Sequence, residues 1–76
     1  MKCFSCNKEK NQIYAKKSDI INDVINYMCQ QCIDLKFEPR WMVVLAGRSM
    51  GSHVVRDFIV KRRYIGPEIT AQELIP

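Results

Sequence analysis

The residues of this chain best placed to do chemistry are its four cysteines. They form two pairs, Cys3-Phe-Ser-Cys6 and Cys29-Gln-Gln-Cys32, with residues 7–28 between the pairs. A CxxC pair offers two sulfurs to one ion from neighbouring backbone positions, and two pairs complete a tetrahedral thiolate shell. The gap is slightly wider than the usual window for paired CxxC zinc sites, which only lengthens a loop or hairpin. One structural Zn²⁺ held by Cys3, Cys6, Cys29 and Cys32 is the leading expectation, and iron suits the same S₄ shell. Disulfides and a redox pair are the competing uses of the thiols. No apolar leader before Cys3 points to an oxidising compartment. A redox CxxC, in turn, calls for one pair in a strand-helix-strand setting, not two matched pairs.

A closed four-ligand shell has no open position for catalysis. Gly47-Arg-Ser-Met-Gly51 matches the GxSxG string of a hydrolase nucleophile elbow and follows an apolar run. That elbow needs a large parallel sheet, an acid and a later histidine. The sole histidine, His53, lies four residues after Ser49, and the chain is too short for such a sheet. The string therefore reads as a glycine-bracketed turn. His53 would become a metal ligand only if a cysteine dropped out of the shell. No pair of carboxylates and no oriented Ser–His or Cys–His pair is left, so the expectation is a protein that is not an enzyme and has no small-molecule substrate.

With 76 residues, the chain is of single-domain size. Domains this short draw only about 3–5 kcal/mol from a core and are commonly stapled by a metal or disulfides. The formal charge is +4, and four thiolates around Zn²⁺ would bring it nearer +2. That mild excess permits an acidic partner without demanding one. The longest apolar run, Trp41–Ala46, is of core length and far short of a membrane span, so a cytoplasmic protein without membrane contact is expected.

The elements that must position the cysteines follow from the pattern between and after them. Cys3–Asn7 reads as a zinc knuckle, with Lys2, Lys8 and Lys10 around it. Gln12–Lys16 reads as a short strand. In Ser18–Met28, the residues Ile20, Ile21, Val24, Ile25 and Met28 fit a helical stripe, while Asn22-Asp23 fits a turn between β-branched strands. A hairpin delivering Asn26-Tyr27-Met28 to the second pair is favoured. A helix beginning at Cys29 would aim its positive end at the thiolates. Knuckle, hairpin and helix in that order resemble the treble-clef zinc fingers from Cys3 to about Leu35. The fold class expected is thus a small α+β zinc-binding domain, with a treble-clef-like module over 1–36 and a helical extension over 37–76 packed on it as one folding unit.

In the extension, Glu38-Pro39 suits a helix start, followed by Trp41, Val44 and Leu45, although Met42–Leu45 would also serve as a buried strand. Gly47–Gly51 is expected to break this element. Ser52 would then cap a helix running to about Tyr64. Thr70-Ala-Gln-Glu73 is a capping box with Ile69 and Leu74 as its hydrophobic staple, and Leu74 and Ile75 are expected to dock on the domain. Trp41 reads as the core anchor. Arg48, Arg56, Lys61, Arg62, Arg63 and Tyr64 are the candidate contacts to nucleic acid or a partner. A solvated basic face that merely complements the helix dipole explains the same charges.

Phe37-Glu-Pro-Arg-Trp41, Gly47-Arg48, Lys61-Arg-Arg-Tyr64 and Glu68–Ile75 give the whole chain a further likeness. It resembles small zinc-finger proteins of tailed bacteriophages. The resemblance implies action in the bacterial host cytoplasm by binding host machinery, as in host takeover, and transfers no catalytic residue. The function expected is a zinc-binding adaptor or regulator that contacts nucleic acid or a nucleic-acid machine, RNA polymerase or the ribosome, through the basic C-terminal helix. The alternative is a pure protein–protein module docking through an apolar face of the C-terminal helices.

Overall fold

The computed structural model describes residues 1–75 and shows a small α+β fold. Strands β1 (Tyr14–Lys17) and β2 (Ile25–Met28) form an antiparallel hairpin, with Tyr14 opposite Met28 and Lys17 opposite Ile25. Helix α1 (Gln30–Asp34) follows at once. Helices α2 (Arg40–Met50) and α3 (Arg56–Val60) make up the second half with two single turns of 3₁₀ helix, Ser52–Val55 and Ala71–Leu74. No helix of the described residues is long and apolar enough to cross a membrane.

The hairpin reading holds, and period-2 alternation explains why. Asn26 and Met28 point inward and are buried, while Ile25 and Tyr27 point out. The first strand starts at Tyr14, two residues later than expected. Asp23 carries the turn at φ 68°. Ile20 and Ile21 leave the ladder altogether. The Ser18 hydroxyl accepts their two backbone N–H groups at 3.0 and 3.1 Å, which folds the loop back on itself. Both isoleucines then pack on the core of the C-terminal half.

Three expectations for the helices of that half need correction first. Gly47 does not break the helix; α2 runs through it and ends at Gly51, whose φ of 104° suits glycine. Gly47 is glycine because α2 and the C-terminal turn meet there. A Cβ would lie 2.6 Å from Leu74 Cδ2 and 3.1 Å from Val55 Cγ2. Second, no single helix spans Ser52–Tyr64. Val55, at φ −107° and ψ 10°, separates the 3₁₀ turn from α3 while its side chain enters the core. Third, Trp41 is not the core anchor, for it is 53% exposed. α2 buries Met42, Val43, Ala46 and Gly47 instead.

Helices α1 and α3 end alike. Phe37 N–H donates to Cys32 O at 3.0 Å and Lys36 N–H to Ile33 O at 3.0 Å, while Arg63 and Arg62 donate to Phe58 and Ile59. Both are Schellman closures, with Lys36 (φ 59°) and Arg62 (φ 52°) in the left-handed position usually given to glycine. At the C-terminus, Thr70 N–H donates to Glu73 Oε1 at 3.4 Å as the capping box requires. Ile69 is buried and Leu74 packs on the core, whereas Ile75 is exposed, contrary to expectation. Arg40 fixes this turn through both oxygens of Glu73, at 2.8 and 2.9 Å.

Two apolar cores result. One gathers Cys3, Met28, Cys29 and Cys32 with Cys6, Ile13, Ile33 and Phe37. The other gathers Val43, Ala46, Val55, Phe58, Tyr64 and Ile69, flanked by Ile20, Ile21, Val44, Ile59 and Leu74. A buried polar group joins the hairpin to α2. Glu38 is 0% exposed; its Oε1 accepts the Ser18 hydroxyl at 2.6 Å, while Asn26 donates its amide to Met42 Sδ at 3.5 Å. Glu38 Oε2 has no hydrogen-bond partner, and burial pushes this carboxyl above the usual carboxylate range.

Candidate metal centre and binding faces

Each cysteine pair reaches the site from a different local device. The first pair sits on a tight turn in which Asn7 N–H donates to Cys3 O at 2.9 Å, with Asn7 at φ 61°. Lys2 pairs with Glu9 across that turn, and Phe4 N–H ties it to Tyr27 O of β2 at 2.9 Å. Phe4 and Tyr27 also meet edge to face, their ring centroids 5.7 Å apart. The second pair starts where β2 ends: Cys29 is the N-cap of α1 and Cys32 faces inward one turn later. The sulfurs of Cys3, Cys6, Cys29 and Cys32 all lie within 4.8 Å of one another, and all four are free thiols. Cys3, Cys29 and Cys32 are buried and Cys6 is half-buried.

The electrostatics of this cluster suit a cation. Burial raises the Cys3 thiol, but N–H groups of Cys6, Cys29 and Ser5, at 3.5, 3.3 and 3.4 Å from its sulfur, outweigh burial and bring it to about 6. Cys32 goes the other way. Burial, then hydrogen bonding with the Cys29 and Cys3 sulfurs, drives it far above an ordinary thiol. One thiolate so placed blocks the next unless positive charge enters among them. The four cysteines are thus positioned to hold a metal ion, as their spacing foretold.

The basic residues named from sequence differ in how they are held. Asp57 takes two of them, Lys61 at 3.3 Å and Arg63 at 2.9 Å. Arg63 also lies over the Phe58 ring at 5.7 Å, and Arg62 over the Tyr64 ring at 6.0 Å. Arg48 and Arg56 are exposed and have no acidic partner among the described residues. Tyr64 is not a stacking surface. It is 4% exposed, and its hydroxyl accepts Ile69 N–H at 3.1 Å. The Schellman closure at Arg62 turns the chain inward just before it, which periodicity along an assumed longer helix does not reveal.

Ser49 lies exposed in the last turn of α2, so a helix precedes the GxSxG string where an elbow needs a strand. His53 is exposed, with its ring against Gly51. Sequence reasoning missed a shallow groove of about 360 Å³ lined by Ser52, His53, Arg56, Ile59 and Val60. Of its lining, only Arg56 was among the candidate contacts. No family model, curated protein or solved structure matches the chain.

Proposed function

We propose that the chain is a non-enzymatic adaptor built on one structural Zn²⁺, and that it docks on a protein partner through the apolar side of its C-terminal half. Four inward-facing thiols supply the donor set and tetrahedral stoichiometry that zinc favours. The succession of knuckle, hairpin and short helix around them supports a treble-clef-like finger. The observation that carries the docking reading is the groove beside α3. Val60 stands 70% exposed at its edge, next to Arg56, while Asp57 occupies Lys61 and Arg63. Charge held by an internal acid is poorly available to phosphate, whereas an exposed valine beside a groove gains from burial.

Direct contact with nucleic acid is the second reading, favoured by Arg48, Arg56 and Arg62, which no carboxylate engages among the described residues. Salt separates the two. Phosphate contacts make affinity fall steeply with salt, with a logarithmic slope of roughly −0.7 to −0.9 per phosphate neutralised. The docking reading expects no retention on heparin at low salt and no bound nucleic acid in the purified protein. Retention that disappears as salt rises would transfer the function to the arginines. Metal analysis should find about one zinc per chain.

A further inference from the structure

Strand β1 leaves one edge of the hairpin open. Ser18 N–H donates to Val24 O at 2.8 Å, which fixes the phase of the ladder. Two residues at a time from there, Lys16 and Tyr14 turn their backbone groups toward Asn26 and Met28, whereas Ala15 and Lys17 turn theirs outward. The outer edge of β2 is partly covered, since Tyr27 O accepts Phe4 N–H. On β1, the N–H and carbonyl of Ala15 and the N–H of Lys17 have no partner among the described residues, and Lys17 O accepts only the Lys16 ammonium, at 3.1 Å. Two hollows flank this edge. One, of about 330 Å³, is lined by Ala15, Lys17, Asp23 and Ile25. The other, of about 610 Å³, includes Lys10, Gln12, Tyr14 and Gln30 in its lining. Because Ala15 and Tyr14 alternate, the hollows lie on opposite faces of the strand.

Charge singles out the same region. Residues 1–17 hold five lysines and one glutamate, while residues 18–76 hold seven basic and seven acidic side chains. Before the thiolates are counted, the whole formal +4 therefore lies in the knuckle and β1. Lys10 and Lys17, one in each hollow, pair with no carboxylate among the described residues. We propose that β1 takes up an extended acidic segment of a partner protein as a third strand of the sheet. The added strand pairs its backbone with Ala15 and Lys17. Its side chains alternate, an apolar one entering the hollow beside Ala15 and Ile25 and an acidic one reaching Lys10 on the other face. Lysine on a short edge strand guards against indiscriminate pairing, and here it leaves acidic strands as the ones admitted. A second copy of β1 would set lysine near lysine, which opposes pairing. Nucleic acid offers phosphates to the lysines but no alternating N–H and C=O groups to the edge. The site is separate from the groove beside α3, and each stands without the other.

The probe is a synthetic hexapeptide of alternating glutamate and valine, titrated to millimolar concentration into the isotope-labelled, zinc-loaded chain. Saturable NMR shifts should appear in the amides of β1 and of the residues lining the two hollows. Exchange of the Ala15 and Lys17 amides with solvent should slow in parallel. Lys10→Glu combined with Lys17→Glu should weaken binding by about tenfold or more, while zinc content and amide dispersion verify that the variant is folded. A lysine–valine hexapeptide should not bind. Methylating every backbone nitrogen of the acidic peptide keeps its charge but removes the ladder, and should abolish binding. A methylated peptide that binds equally well overturns the proposal, because charge alone then holds it. So do an absence of shifts in β1, shifts confined to the groove beside α3, or a double lysine variant that binds as before. An oligonucleotide that shifts the β1 amides where the peptide does not overturns it as well.

Discussion

The two halves of this molecule solve the same problem by different means. The first gathers four sulfurs, Met28 and a few half-buried side chains, and at its centre burial holds the Cys32 thiol far above an ordinary one. The second gathers six buried residues and needs no ligand to explain their burial. Yet the halves are not separable at residue 36. Ile20 and Ile21 of the hairpin loop serve the second core, Phe37 serves the first, and Glu38 N–H donates to Arg63 O at 3.0 Å. A small chain gains a second core cheaply when the first lends it side chains.

Metal removal should break the comparison hardest. Structural zinc in small domains contributes an apparent 10–16 kcal/mol to folding at neutral pH. Chelation, or Cys32→Ser, should collapse the amide dispersion of residues 1–36 in NMR spectra. It should also lower the melting temperature of the second half, which loses Ile20 and Ile21. A second half that melts unchanged would mean the loop contributes nothing to it.

Next in size is Phe58→Ala. Truncating a buried phenylalanine costs about 3–5 kcal/mol, read as a lower denaturant midpoint of the zinc-loaded protein. Zinc bound per chain should stay the same, and its loss would show that the metal site depends on the second core.

Glu38 tests the joint between them. Its folded pKa lies above its unfolded one, so its stabilisation is whole below the ordinary carboxylate range and drains away as pH rises through the raised value. Lys16 and Asp19, paired at 3.1 Å, are the charged neighbours and act on it in opposite senses. Glu38→Gln should therefore be more stable than the parent at neutral pH, with the advantage shrinking toward acid. Because thiolate protonation weakens zinc in both proteins, the difference between their melting curves is the readout. A pH-independent difference would contradict a raised pKa.

The smallest effect belongs to the left-handed helix ends. Lys36→Gly relieves a side chain held at φ 59° and should stabilise by about 0.5–1 kcal/mol, seen as a small rise in melting temperature. A drop would show that the lysine side chain makes up for its strain.

The four-sulfur cluster was legible because the spacing of Cys3, Cys6, Cys29 and Cys32 constrains chemistry directly, and the hairpin because Asn22-Asp23 offers a turn between β-branched stretches that lead to the second pair. The rotation of α2 was not. From Trp41 to Ala46 every residue is apolar, so a run with no polar side has no phase to read, and Trp41 looked as buried as Val43. Gly47 hid for a related reason. Its need for space arises from Leu74, 27 positions away in the chain. Tyr64 was misplaced because a lysine-arginine run carries no glycine to announce that α3 ends at Val60 and that Arg62 reverses the backbone.

The bridging role of the loop also sets an order of events during synthesis. All four cysteines are present once Cys32 has left the ribosome, so with zinc as proposed the hairpin half can close early. The residues that receive Ile20 and Ile21, from Val43 to Ile69, follow later. Through that interval two neighbouring isoleucines stand bare at the tip of an already folded finger, the kind of surface that binds chaperones or aggregates. On the proposed zinc reading, the nascent chain is most vulnerable after metal binding, not before.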